Sequence, residues 1–264
     1  MVRFALGIEY QGQFFSGWQS QPTHDTVQDV LNLALSEMAN EVISVVAAGR
    51  TDRGVHALEQ VVHFDTTASR PLTAWVRGIN AKLPKSISVL WACEVSNLFN
   101  ARIRATSRTY RYLLLNQAIR PSLLHGLCGW YHYPLDKEAI CQALPWVIGQ
   151  HDFTSFRAAE CQANSPVRQM KEIQVARQND FWCFTFKSES FLYHMIRNLM
   201  GALLLIGAGA QKPEWLGELM ALKDRKLAPP TFMPDGLYLV KVDYDAHWGL
   251  PAGNERWPYA FLGD

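Results

Sequence analysis

Two short apolar runs, Val42-Ile43-Ser44-Val45-Val46 and Gln60-Val61-Val62-His63-Phe64, bracket the segment Ala48-Gly49-Arg50-Thr51-Asp52-Arg53-Gly54-Val55-His56. This pattern predicts two strands joined by a loop that packs two arginines, one carboxylate and two glycines into nine residues. Glycine lets the backbone reach positive φ and come close to a ligand. Loops held by rigid elements carry a large share of catalytic groups. Asp52 therefore has two readings. It is a turn former bonded to its own backbone, with Arg50 or Arg53 paired to it, or it is an active carboxylate presented among cations.

Strand and helix patterns interleave along the rest of the chain. Phe4, Leu6, Ile8 and Tyr10 alternate as in a strand. Asp25 or Thr26 can cap a helix that carries Val27, Val30, Leu31, Ala34, Leu35 and Met38 at three-to-four spacing. A second helix is expected from Pro71, with Leu72, Trp75, Val76, Ile79 and Leu83 on one face. Strands are expected at 87–92, 107–115, 170–176, 181–187 and 236–242, and helices at about 136–148, 190–207 and 213–220. The fold class this predicts is α+β: two similar α/β lobes whose strands share a central, mostly antiparallel sheet. The lobes are drawn as 1–105, carrying the Asp loop, and 106–264.

With 264 residues, 48% of them hydrophobic, the chain is long enough for a sizeable core. Its formal net charge is only +1, so a polyanion must be met by a local patch. That patch is visible. From Val95 to Leu135 there is no Asp or Glu, while Arg102, Arg104, Arg108, Arg111 and Arg120 fall in the same window with Tyr110 and Tyr112. Arginine meets phosphate and aromatic rings stack splayed bases, so the run suits RNA; a solvated strand face paired with acids from elsewhere has the same composition.

Five cysteines without C-x-x-C spacing read as free thiols in a reducing compartment. The histidines show no metal-ligand spacing. No Walker-type loop and no G-x-G-x-x-G after a strand is present, so no cofactor is expected. Met1-Val2-Arg3-Phe4 runs straight into a strand pattern, and the apolar run Leu199–Ile206 falls short of the roughly 20 residues a membrane span needs. A soluble, cytoplasmic protein is expected.

Gly49-Arg50-Thr51-Asp52 followed by Gly54-Val55-His56 resembles the signature loop of TruA-type pseudouridine synthases. Arg108-Thr109-Tyr110-Arg111-Tyr112 is similar to the second motif of that family, and Arg197 in Tyr193-His194-Met195-Ile196-Arg197-Asn198 matches its active-site arginine. The resemblance implies isomerisation of uridine at positions 38 to 40 in the anticodon stem-loop of tRNA, by a homodimer whose active site lies in a basic cleft between two lobes. It implies Asp52, Tyr110 and Arg197 as catalytic residues, Arg197 pairing with Asp52. Arg50, Arg102, Arg104, Arg108, Arg111 and Arg168 are the expected RNA contacts. Arg53 and Asn100 depart from the family pattern, which usually has alanine and histidine there. Two rival readings fit the same residues: a tRNA-binding protein without catalysis, and a carboxylate hydrolase of glycosidic bonds, which usually needs two acids flanking one bond.

Overall fold

The computed structural model describes residues 1–253; residues 254–264 of the expected second lobe lie outside them. Ten strands and four α-helices are described. The first stretch holds β1 (Val2–Tyr10), α1 (Val27–Ala39), β2 (Val46–Ala47), β3 (His56–Thr66) and β4 (Ile87–Val95). Next come β5 (Ala105–Asn116), β6 (Gly129–Tyr131), α2 (Lys137–Ala143), β7 (Gly149–Asp152), β8 (Val167–Gln178) and β9 (Phe181–Ser188). Last are α3 (Met195–Gly207), α4 (Trp215–Leu222) and β10 (Leu237–Tyr244). The mixed α+β class read from the sequence is found.

The chain divides into two compact units, Met1–Arg108 with the strand from Tyr238 onward, and Thr109–Leu237. In the first, the strand order is β4-β1-β3-β10, with β2 on β3. The β1–β3 and β1–β4 pairs are antiparallel. The β3–β10 pair is parallel, with Tyr238 opposite His56 and Leu239 opposite Ala57. Most of β10 thus belongs with β3, although the sequence reading kept it in the lobe that begins at 106. Phe4, Phe64 and Trp75 form the aromatic centre of this unit, with ring centroids 5.3 to 5.8 Å apart.

Thr26 caps α1 by accepting from Asp29 N, and the helix ends at Asn40 in the left-handed conformation. The expected strand at 42–46 shrinks to Val46–Ala47. Ile43 N donates to Ser36 Oγ and Val45 N to Asn32 Oδ1, so α1 side chains take the donors that a strand partner would have used. The expected helix from Pro71 is π-helical over Ala74–Gly78, with Trp75 buried on it.

In the second unit the order is β5-β9-β8-β7, with β6 parallel to β5. Trp182, Phe184 and Phe186 of β9 are fully buried, as are Leu199, Met200 and Leu203 of α3. The expected helix at 136–148 is cut at Ala143, where Pro145 turns its continuation into a 3₁₀ turn, Leu144–Val147. The expected helix at 190–207 begins only at Met195. His194 sits before it in the left-handed region (φ 62°), with Tyr193 N donating to Cys161 Sγ and Ala158 N to Tyr193 O. His194 therefore does not share a helix face with Arg197 and Asn198, as three-to-four spacing suggested. Among the described residues no helix is long and apolar enough to cross a membrane.

Candidate active site

The loop around Asp52 is fixed at both flanks. On the incoming side, Ala48 N donates to Val61 O (2.8 Å) and Gln60 Nε2 to Gly49 O (2.6 Å). Thr51 is anchored twice: its hydroxyl bonds Tyr10 OH (2.8 Å), and its carbonyl accepts from Trp18 N (3.0 Å). Tyr10 is buried, which pushes its phenol well above the usual range and keeps the hydroxyl protonated. Asp52 then opens a tight turn, with Val55 N donating to Asp52 O (3.1 Å) and Gly54 at φ +83°. On the outgoing side, buried His56 accepts at Nδ1 from Gly12 N (3.1 Å), and its ring stacks on Tyr238 at 4.5 Å. Asp52 is half-buried at the head of this turn and Arg53 is exposed beside it. The backbone of Asp52 makes the turn, and its side chain is not needed for that bond.

The arginines divide by what they touch. Arg50, Arg102 and Arg104 are exposed. Arg104 lies over the Trp248 ring at 5.5 Å. Arg108 is half-buried; its Nη2 donates to Ala48 O (2.8 Å) and to Arg102 O (2.8 Å), and its Nη1 to Ala105 O (3.4 Å). It thereby ties the start of the Asp52 loop to the basic turn that carries Arg102 and Arg104. Asn100, the departure noted in the sequence, accepts at Oδ1 from Arg102 N (3.0 Å) and Ile103 N (3.1 Å) and so shapes that turn. Tyr244 OH donates to Ala101 O (2.6 Å) and holds the turn from β10.

His63, buried under the same turn, accepts at Nδ1 from Ala101 N (3.1 Å). Burial, and then the charge of Arg3, push its pKa from 6.5 down to about 4, against the opposing pull of Asp65. The unfolded chain therefore binds the extra proton first as pH falls. His63 costs no stability above about 6.5, and the protein loses stability as pH drops from there toward 4. Melting temperatures across this window should fall more steeply for the wild type than for His63→Asn, which keeps an acceptor but cannot titrate. Parallel profiles would contradict the assignment.

The second unit holds Tyr110, Arg111, Arg168 and Arg197. Tyr110, on β5, is buried with its ring edge-on to Phe191 at 5.2 Å. Tyr112, two residues on, is fully buried and donates to Met233 O (2.9 Å), a packing role. Arg111 is half-buried on the same strand. Arg197, on α3, donates from Nε to Phe232 O (2.8 Å), while Phe232 N donates to Arg197 O (3.2 Å). Arg168 donates from Nη1 to Ser165 O (2.9 Å) and Val167 O (2.6 Å), and burial lowers its pKa. That geometry braces its own loop.

Sequence reasoning missed the anchors. Tyr10 lies 41 residues from Thr51 and Gly12 lies 44 from His56, and neither residue carries a local pattern that announces its partner.

The model of a family described as tRNA pseudouridine synthase matches residues 7–103 and 143–245. The chain is 54% identical over 260 residues to tRNA pseudouridine synthase A of Thiobacillus denitrificans, covering 98% of this chain and 100% of that protein. It is 52% identical over 254 residues to the protein of that name from Dechloromonas aromatica, covering 96% and 97% respectively. Among solved structures, a chain in the crystal structure of a Cbf5-Nop10-Gar1 complex aligns at TM-score 0.37 and 15% identity over 76% of this chain and 45% of that one, too remote to carry weight.

Proposed function

Because the chain belongs to the tRNA pseudouridine synthase family, isomerases that act on tRNA uridine, we propose that it works on the anticodon stem-loop, at positions 38 to 40, with Asp52 at the centre of the reaction. The observation that carries this is the double anchoring of the Asp52 turn by buried bonds to Tyr10 and Gly12. A carboxylate on a turn that cannot drift is one whose approach to a bound nucleoside is set in advance.

The reaction breaks the N1–C1′ bond and forms the C5–C1′ bond. The proton on C5 leaves and N1 gains one, so nothing is oxidised or reduced. The target base must leave its stack to expose both bonds. Asp52 acts on the target nucleoside at the ribose or pyrimidine. Tyr110, held edge-on by Phe191, packs on the flipped base and takes part in removing the C5 proton. Arg197 is the cation that the resemblance pairs with Asp52, and a cation beside a carboxylate favours its ionised form.

Arg50, Arg102, Arg104 and Arg111 supply contacts to the RNA backbone. Arg108 and Arg168, whose terminal nitrogens donate to main-chain carbonyls, contribute by holding the loops that present those contacts. Arg102→Ala and Arg104→Ala are each expected to weaken tRNA binding and to lower the slope of log affinity against log salt by about one, with turnover at saturating tRNA unchanged. Filter binding across a salt series reads the slope, and an unaltered slope removes the turn from the RNA footprint.

The reading also takes the protein as a homodimer working in the cytoplasm; sedimentation of the purified chain tests the first. The site on tRNA is tested by mapping pseudouridine in unmodified tRNA transcripts after incubation with the enzyme. Modification confined to positions 38 to 40 supports the reading. Modification elsewhere in the tRNA overturns it.

A further inference from the structure

One residue past Arg197, helix α3, apolar apart from these two positions, carries a fully buried asparagine. Asn198 donates from Nδ2 to Phe156 O (2.8 Å) and accepts at Oδ1 from Thr231 Oγ1 (2.7 Å) and Arg225 Nη2 (3.0 Å). Arg225 Nη2 also donates to Thr231 Oγ1 (3.1 Å), which closes a triangle of three side chains. Arg225 Nη1 holds Ala228 O (3.2 Å) and Pro229 O (2.9 Å). The stretch 228–232 is thereby held to α3 directly through Thr231 and, by way of Arg225, through the carbonyls of Ala228 and Pro229, and it ends at Phe232, the residue that exchanges two bonds with Arg197.

Apolar packing alone would hold two elements together. A buried polar cluster is favourable only when its members are satisfied, and then it specifies a single arrangement. Here the arginine of the cluster meets only neutral oxygens: an amide, a hydroxyl and two carbonyls. What that arrangement fixes is the Phe232 carbonyl. A guanidinium bonded through Nε to a fixed acceptor has its plane fixed, and with it the direction of the two terminal nitrogens that engage a carboxylate.

We propose that Asn198, Thr231 and Arg225 are positioning residues for Arg197, acting through the Phe232 carbonyl. The proposal rests on the reading of Arg197 as the active-site cation. Thr231→Val removes the hydroxyl while keeping the shape. It is expected to lower kcat about tenfold, the scale on which small misplacements of a reacting group act, with KM for tRNA unchanged. Thr231→Ser restores the hydroxyl and should restore most of the rate. Arg225→Lys has one nitrogen where the guanidinium uses Nη2 for Asn198 and Thr231 and Nη1 for the Ala228 and Pro229 carbonyls, and should reproduce the loss; it keeps the test alive if Thr231→Val folds poorly.

The decisive form is a double-mutant cycle with Arg197→Lys on protein shown to be folded by circular dichroism. If the network works through Arg197, Thr231→Val costs little further once Arg197→Lys is present. Additive losses, or a Thr231→Val enzyme with wild-type kcat beside a slow Arg197→Lys enzyme, would overturn the proposal and leave the role of Arg197 standing. An Arg197→Lys enzyme with wild-type kcat and KM would instead remove that role, and the proposal with it.

Discussion

Asp52→Asn should leave the protein folded and bound to tRNA, with turnover reduced on the order of 10⁴-fold or more, the scale seen when a group at the centre of a reaction is removed. Two anchors of the loop are independent of the carboxylate. The turn is closed by the Asp52 carbonyl accepting from Val55 N, and the neighbouring anchor belongs to Thr51 and Tyr10. Neither bond uses the Asp52 carboxylate, so both anchors remain when it is replaced. Loss of one negative charge near an RNA backbone leaves affinity the same or tightens it. Single-turnover conversion, scored by nucleoside composition of digested tRNA, reads the effect, and thermal melting checks the fold. Near wild-type turnover in a folded Asp52→Asn protein would take Asp52 out of the reaction.

The second large effect is expected far from Asp52 in sequence. A methyl group on residue 12 would stand 1.9 Å from Val55 O, 2.4 Å from Val55 C and 2.9 Å from Val55 N. All three are backbone atoms of the Asp52 turn, so no side chain can swing aside to make room. Gly12→Ala must push the two segments apart, and the bond from Gly12 N to His56 Nδ1 goes with the displacement. Overpacking of about 1–3 kcal/mol and a buried donor left unpaired at about 1–3 kcal/mol together predict a loss near 3 kcal/mol or more. For a protein of this size that corresponds to a fall in Tm of about 10 °C. Because the shifted turn is the one that carries Asp52, kcat should also fall about 100-fold in the fraction that remains folded. Calorimetry and single-turnover kinetics on the same preparation separate the two losses. A Gly12→Ala enzyme with unchanged Tm and kcat would mean that the loop is not held as described.

How far the sequence leads depends on whether the forces are local. Local pattern marks β1 by its alternating apolar residues and β3, β4, β5, β8, β9 and β10 as short strand-like runs, with β3 buried almost throughout, and of the two cap candidates Asp25 and Thr26 it is Thr26 that caps α1. The loop at Asp52 was legible because its charges and glycines are contiguous. Residues 42–45 were misread because their apolar pattern is strand-like while their donors are taken by Asn32 and Ser36, thirteen and seven residues earlier. The start of α3 was placed too early because helical spacing takes no account of a left-handed residue at His194. Parallel pairing of β10 with β3 left no mark on either segment, since each reads simply as an apolar run. In the candidate site, composition could name the arginines but not what each one touches. Arg108 sits in the basic run beside Arg104, yet its fork is committed to the carbonyls of Ala48 and Arg102.

Tritium release from tRNA labelled at C5 of uridine tests the central claim most directly. Forming the C5–C1′ bond must expel the C5 hydrogen, so the wild-type protein should release one tritium for each uridine converted and leave no free uracil. The absence of release from unmodified tRNA that still binds, or the appearance of free uracil in its place, would contradict isomerisation at this site.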